Sequence, residues 1–212
     1  PKRNTPARQG KTKYDADVRS ELITSWEAGA ELKFFNNRLG VDFAWYKTNA
    51  KRQLMNIPLN NLSGYDNMKV NAGNIQNTGI EIMLNARPIE TAQFSWDTQL
   101  NFSQNKSKII ELLPGKPGMQ YALGGSDALQ VYAVAGGAYG EIWGTKYQRV
   151  EEGEFKGQLL LNESGLPQAT SDKHKIGEQQ PDFLLGWTNT FNYKNFTLSF
   201  LIDGRFGGDF FL

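Results

Sequence analysis

Residues 26–46 have the sequence WEAGAELKFFNNRLGVDFAWY, and this stretch decides the fold class. Apolar side chains occupy every second position from Trp26 to Phe34, and again from Leu39 to Trp45. Successive side chains of a β-strand point to opposite faces, so this period of two predicts two strands that each have an apolar face. The short polar link at residues 36–38 predicts a tight hairpin between the two strands.

The same alternation recurs in four further runs. Their mostly apolar faces carry Thr78, Ile80, Ile82, Leu84 and Ala86, then Phe94, Trp96, Thr98, Leu100 and Phe102, then Phe183, Leu185, Trp187, Asn189 and Phe191, and finally Phe196, Leu198, Phe200 and Ile202. Connections of about three to six residues alternate with connections of roughly 20 and 75, which is typical of barrels with short turns at one edge and long loops at the other. The pattern predicts an all-β fold made of antiparallel strands of a transmembrane β-barrel.

Strand length and aromatic placement favour this barrel. A core of ~10 residues per strand, tilted by ~45°, spans about 23 Å, close to the apolar band of outer-membrane barrels. Aromatic residues gather near the short turns, as at Phe34, Trp96 and Phe196, and toward the opposite strand ends, as at Trp45 and Phe183. Two such girdles are typical of membrane interfaces. The inner faces of a soluble antiparallel sandwich would show the same alternation, so periodicity alone leaves that alternative open.

The composition argues against several functional classes. The net charge is +1, from 23 Lys and Arg against 22 Asp and Glu, which argues against a nucleic-acid partner. The chain has no cysteine, and His174 is its only histidine, in a polar stretch without the partner spacing of a zinc site or a catalytic triad. The sequence therefore predicts no catalytic centre, no metal site and no cofactor.

A long connection, expected at residues 108–180, is the candidate ligand-binding segment. Glycines are frequent in it, and residues 159–167 predict a small hairpin with a turn at residues 163–165. So long a loop in a compact domain usually serves a function. Its aromatic side chains could stack on sugar rings or hold a partner protein, and the candidates are Tyr121, Tyr132, Tyr139, Trp143 and Tyr147. Packing within a small core of the loop is the alternative role for the same residues.

Several stretches between residues 20 and 210 together carry a family resemblance. They are SWEAGAE (25–31), FFNNRL (34–39), YK (46–47), NAGNIQNTGIE (71–81), NFSQNK (101–106), GEIWG (140–144), PDF (181–183), YKNF (193–196) and GGD (207–209). In this order they resemble the C-terminal barrel region of the SusC/RagA-like TonB-dependent transporters of Gram-negative outer membranes.

The resemblance implies an architecture and a function. Residues 1–212 would form part of the barrel domain of such a receptor and supply about six to eight strands of a 22-stranded barrel. The segment at 108–180 would be an extracellular loop, and the plug and the TonB-contacting segment are expected outside this chain. The function implied is uptake of oligosaccharides or peptides across the outer membrane, with a SusD-like surface lipoprotein and energy from TonB. The alternative function is that of a soluble β-rich module for glycan binding or adhesion.

Overall fold

The computed structural model describes residues 12–58, 63–126 and 129–210, which form eleven β-strands in two sheets. The strands are β1 (Thr12–Tyr14), β2 (Leu22–Phe34), β3 (Leu39–Pro58), β4 (Asn67–Glu90), β5 (Phe94–Glu111), β6 (Gln120–Gly125), β7 (Leu129–Val134), β8 (Tyr139–Gly144), β9 (His174–Glu178), β10 (Phe183–Tyr193) and β11 (Phe196–Phe206). Within these ranges no helix has the length and apolar composition needed to cross a bilayer. The predicted all-β class is confirmed.

The larger sheet has seven strands. Strands β11, β10, β5, β4, β3 and β2 follow one another as antiparallel neighbours. The short strand β1 runs parallel to β4, with Thr12 opposite Asn67 and Tyr14 opposite Lys69. Sequence reasoning missed β1, because three residues are too few to display a period of two. Strand β10 lies directly beside β5 and is antiparallel to it. The long connection between them therefore leaves and re-enters the large sheet at the same end of its strands.

The predicted hairpin between β2 and β3 turns where the polar link indicated. Phe35, Asn36 and Asn37 have φ angles of 52°, 52° and 66°, and the amide of Arg38 donates to the carbonyl oxygen of Phe35 at 3.2 Å. Asparagine adopts this left-handed backbone region more readily than most residues. Two asparagines in succession therefore allow the chain to reverse at this point.

The apolar sets of the six predicted runs lie on one face of this sheet. Residues directly opposite each other in a ladder point to the same face, and one continuous row crosses all six strands through Leu32, Val41, Leu84, Leu100, Trp187 and Ile202. Leu32 is 50% exposed and Ile202 is 55% exposed. Among the residues that the structure describes, this face is thus not packed against a second sheet along the row, as the inner face of a sandwich would be.

The opposite face is mainly polar. One row on this face crosses the six strands through Glu31, Asp42, Met83, Asn101, Gly186 and Asp203. Leu184 and Leu201 are apolar exceptions, and both are exposed. The large sheet thus separates an apolar surface from a polar one along its whole width.

Strands β3 and β4 extend well beyond their predicted ends. The connection between them was expected to need roughly 20 residues, but β3 continues to Pro58 and β4 begins at Asn67. Next to the predicted ends, around Asn49 and Asn74, polar side chains lie on both faces and interrupt the apolar alternation. Side-chain hydrogen bonds join them instead, as between Asn49 Nδ2 and Asn74 Oδ1 at 3.1 Å.

Aromatic rings and a buried amide meet near the β4–β5 and β10–β11 turns. The Trp96 ring stacks on Phe191, with centroids 5.7 Å apart and planes inclined by 14°. The indole Nε1 of Trp96 donates to Oδ1 of Asn189 at 2.9 Å, and that of Trp187 donates to Oγ1 of Thr98 at 2.8 Å. Asn189 is only 1% exposed. The tryptophans thus provide donors for polar groups that lie within the apolar face.

Candidate ligand-binding site

The connection from β5 to β10 folds into its own sheet. Strands β6, β7, β8 and β9 are neighbours in that order and antiparallel. Only a small hairpin was expected here, so this sheet is a correction to the sequence analysis. Strand β5 also continues to Glu111, past the expected start of the loop at 108. Register shifts at residues 122–124, 132–133 and 142–143 interrupt the alternation within strands of five or six residues.

The smaller sheet is docked on the end of β5. Ile109 and Leu112 are buried with Ala133 of β7, at 0%, 2% and 2% exposure. The amide of Ile109 donates to the carbonyl oxygen of Gly137 at 2.8 Å, and the amide of Gly136 donates to the carbonyl oxygen of Ile109 at 2.8 Å. Because hydrogen bonds and apolar contacts join the same residues, the loop sheet is held on the wall of the larger sheet.

A second set of contacts fastens the other end of the loop. The side chain of Gln180 accepts from the amide of Ser107 at 3.1 Å and donates to the carbonyl oxygen of Asn105 at 2.8 Å. Beyond β11, Asp209 accepts from the amide of Glu178 at 3.0 Å through Oδ2. These bonds tie the segment between β9 and β10 to β5 and to the residues that follow β11.

Glu141 organises one face of the loop sheet. It is 5% exposed and accepts three hydrogen bonds, from Lys175 Nζ at 3.0 Å, the amide of Ala138 at 3.2 Å and Trp143 Nε1 at 3.0 Å. Burial lowers the pKa of Lys175, but the hydrogen bonds and charges of Glu141 and Glu178 outweigh it and hold this pKa above its ordinary value. The Lys175 ammonium and two neutral donors thus compensate a carboxylate that is almost fully buried.

Glu141→Gln is expected to loosen β8 and β9. The amide retains an acceptor oxygen but no longer carries the charge that pairs with Lys175, so the free energy of local opening should fall by about 1–2 kcal/mol. Hydrogen exchange of the β8 and β9 amides would measure this fall. Glu178→Gln is the matched control, because its pair with Lys175 is more exposed and should contribute less than about 1 kcal/mol. Equal effects of the two substitutions would contradict the role given to Glu141.

The structure separates the five candidate aromatic residues into three environments. Tyr132 and Trp143 meet edge to face on the side that carries Glu141, with ring centroids 6.2 Å apart. Tyr121 packs against the buried cluster of Ile109, Leu112 and Ala133. The other two are the most exposed of the set, Tyr139 at 46% and Tyr147 at 62%.

Residues 145–170 form a small unit with a closed hydrogen-bond cycle. The amide of Gln148 donates to the carbonyl oxygen of Gln168 at 2.8 Å, Gln168 donates to Leu160 at 2.9 Å, and Leu160 donates back to Gln148 at 2.8 Å. The three segments around Gln148, Leu160 and Gln168 are thus each hydrogen-bonded to both of the others. We call residues 145–170 the lobe.

The tip of the lobe is a turn at residues 162–165, within the region expected to form a hairpin. Asn162 Oδ1 accepts from the amides of Ser164 at 3.0 Å and Leu166 at 2.9 Å. The carbonyl oxygen of Leu166 accepts from the amide of Asn162 at 2.8 Å, and an isolated antiparallel bridge joins Leu161 to Pro167. Asparagine side chains commonly fix turns in this way.

A cavity of about 1040 Å³ lies beside the lobe. Tyr147 lines it together with Arg149, Lys156 and His174, and the remaining lining comes mostly from residues 145–160 and Thr170. This volume is at the upper end of the usual range for small-molecule sites. Among the residues that the structure describes, no group of three or more histidine, cysteine, aspartate or glutamate side chains could hold a metal ion. The arrangement is suited to binding through rings, amides and cations.

The chain belongs to the family of TonB-dependent receptor-like β-barrels. A family model of that description, "TonB dependent receptor-like, beta-barrel", matches residues 4–203. The match covers nearly the whole chain and both sheets. The family indicated by the sequence motifs is thereby confirmed.

Individual relatives agree with this assignment. The TonB-dependent receptor SusC of Bacteroides thetaiotaomicron is 30% identical over 199 residues, which are 88% of this chain and 19% of SusC. TonB-dependent receptor P3 of Formosa agariphila is 28% identical over 210 residues, which are 91% of this chain and 21% of P3. The chain thus spans about a fifth of the length of the curated relatives it matches. These names denote receptors and not enzymes.

Solved structures share the fold. The RagAB peptide importer in its open-open state superimposes with a TM-score of 0.70 at 17% identity, over 91% of this chain and 21% of the importer chain. Its closed-closed state gives a TM-score of 0.67 at 20% identity. At such identities the likeness concerns the fold alone.

Proposed function

We propose that this chain is a wall and loop section of an outer-membrane importer of a Gram-negative bacterium, which takes up oligosaccharides or peptides. The observation that carries the proposal is the continuous apolar face across six strands, on which Leu32, Leu198 and Ile202 are at least half exposed. So large an exposed apolar surface needs an apolar environment. In this proposal, outer-membrane lipid provides it.

The opposite face lines an aqueous interior in this proposal. Alternation of apolar outward and polar inward residues is the rule for membrane barrels that enclose a watery lumen. Asp42, Glu81 and Asp203 lie on the polar face and remain hydrated in such a lumen. In this proposal the apolar face of the sheet contacts lipid and the polar face contacts water.

The docked loop sheet and the lobe form the ligand-capturing surface on the extracellular side in this proposal. Ring faces for sugars or peptide side chains come from Tyr132, Tyr139, Trp143 and Tyr147, while Tyr121 supports them by packing on the end of β5. Energy is supplied through TonB and ligand retention through a SusD-like surface lipoprotein. Family membership and the relatives named as TonB-dependent receptors support TonB as a partner, and the resemblance of the sequence motifs to SusC/RagA-like transporters supports the lipoprotein.

Fractionation and uptake experiments on the full-length protein that contains this chain test the proposal. We expect the protein in the outer-membrane fraction, extracted only with detergent. We also expect that deleting its gene abolishes accumulation of a labelled oligosaccharide or peptide, and that a protonophore abolishes this accumulation in the parent strain. A monodisperse full-length protein in buffer without detergent would overturn the proposal and favour a soluble binding module.

A further inference from the structure

We propose that the cavity beside the lobe binds the negatively charged group of an acidic oligosaccharide, with one sugar ring stacked on Tyr147. This inference rests on the proposed function as an importer and names the chemical class of its ligand. It depends on the charges, the order and the polar groups of the cavity lining.

Cationic side chains outnumber acidic ones around the cavity. Lys146, Arg149 and Lys156 line it, whereas Glu151 is the acidic residue of the described lining. His174 adds an imidazole at the start of β9. Several fixed cations around one concave space attract an anion more strongly than isolated surface lysines do.

This charge distinguishes the cavity beside the lobe from the cavity on the polar face of the large sheet. The cavity of about 540 Å³ on the polar face of the large sheet is lined by Asp42, Glu81 and Asp203, and no lysine or arginine contributes to its described lining. These two cavities therefore differ in the sign of their charged lining residues. A positive cavity in the loop is consequently a local property and does not reflect the overall charge of +1.

Backbone hydrogen bonds fix the main-chain positions of these cationic residues. Arg149 and Lys156 lie on either side of the turn that brings Val150 against Gly157, whose amide donates to the Val150 carbonyl oxygen at 2.8 Å. The Arg149 guanidinium donates through Nη1 to the carbonyl oxygen of Gly157 at 2.6 Å, which leaves its other N–H groups for a ligand. A site held in advance binds with a smaller loss of conformational entropy.

The remaining lining favours a sugar over a peptide. Tyr147 presents a ring that is 62% exposed, and a flat aromatic face suits the apolar face of a sugar ring. Thr145 adds a hydroxyl group, and Gln148, whose Nε2 donates to the carbonyl oxygen of Ala169 at 3.0 Å, keeps its amide oxygen for a sugar hydroxyl. A carboxylate and a sulfate group satisfy the cations equally well in chemical terms, so the experiment must distinguish them.

Binding measurements on the full-length protein in detergent test this inference. The probes are four ligands of similar length: an oligosaccharide with carboxylates, one with sulfates, a neutral one, and an oligoglutamate peptide. At least one charged oligosaccharide should bind about tenfold or more tightly than the neutral one, and the carboxylate and sulfate arms then identify the anion. Its affinity should fall as salt is raised from 0.15 M to 1 M, because screening shortens the Debye length from about 8 Å to about 3 Å.

Substitutions locate the site. Lys146→Gln and Lys156→Gln should each weaken binding of the charged oligosaccharide about two- to fivefold, as expected for exposed ion pairs. Tyr147→Ala should weaken it about two- to tenfold, and Tyr147→Phe, which keeps the ring, should restore most of the affinity. Lys116→Gln is the control, since it removes the same charge from a residue outside the cavity lining. Unchanged thermal unfolding would show that the variants remain folded.

The outcomes separate this inference from the proposed function. Equal binding of neutral and charged oligosaccharides, no effect of the lysine substitutions, or tighter binding of oligoglutamate would each overturn the acidic-oligosaccharide site. The importer proposal would stand in those cases if protonophore-sensitive uptake of another ligand persisted. Loss of that uptake for every ligand tested would overturn the importer proposal itself.

Discussion

Leu84→Arg is expected to lower the free energy of unfolding of the membrane-embedded protein by about 2–4 kcal/mol. Leu84 lies on the apolar face between Val41 and Leu100, in the row that crosses all six strands. In the proposed orientation Leu84, six residues before the end of β4, is near the middle of the bilayer, so the substitution places a guanidinium in hydrocarbon. Urea unfolding in lipid vesicles, followed by tryptophan fluorescence, would measure the change.

Two further variants control for position. Asn85→Arg introduces the same side chain one residue later, on the exposed polar face, and should change the stability by less than about 0.5 kcal/mol. Leu198 lies opposite Phe191, beside the β10–β11 turn. Leu198→Arg should therefore lower the free energy of unfolding by only about 0–1 kcal/mol. Equal costs at Leu84 and Asn85 would contradict the assignment of the two faces.

Ile109→Ala is expected to release the loop sheet from the end of β5, at a cost of about 2–5 kcal/mol. The Ile109 side chain is fully buried against Leu112 and Ala133, and its removal leaves a cavity that the paired backbone cannot close. Limited proteolysis and hydrogen exchange of residues 112–182 would detect the release.

Ile110→Ala is the matched control for this prediction. Ile110 is adjacent to Ile109 in β5 but 43% exposed, so its truncation should cost less than about 1 kcal/mol and leave the loop protected. Similar proteolysis of both variants would show that burial of Ile109 does not hold the loop sheet in place.

The large sheet could be predicted from sequence because its strands meet two different environments. Where one face is apolar and the other polar, as from Leu39 to Trp45, the alternation is visible and fixes which residues share a face. Where both faces are polar, as around Asn49 and Asn74, the strands continue without that signal. The alternation therefore marked the apolar band and left the true ends of β3 and β4 undetected.

The loop sheet could not be predicted for a different reason. Its strands are short and contain bulges, and Gly125 and Gly140 adopt φ angles of 135° and 91° within or at the ends of strands. A single displaced residue moves the following side chains to the other face. The contacts that stabilise this sheet, at Ile109 and Glu141, connect residues that are distant in sequence.

The candidate site could be predicted from the sequence only in part. The loop aromatics could be named from composition, but their separation into a packed Tyr121, a Tyr132–Trp143 pair and an exposed Tyr147 depends on strand pairing. Sequence reasoning missed the cationic cavity, because its lining combines Lys146, Arg149 and Lys156 of the lobe with His174 of β9. No spacing rule joins residues that only tertiary structure brings together.

The closed cycle of Gln148, Leu160 and Gln168 bears on how specificity could change during evolution. Backbone groups hold this scaffold together, so its shape is largely independent of the side chains at neighbouring cavity positions such as Lys146 and Lys156. Point mutations there could alter the preferred cargo without refolding the scaffold. Related receptors could in this way acquire different cargo specificities while conserving the same three-segment backbone scaffold.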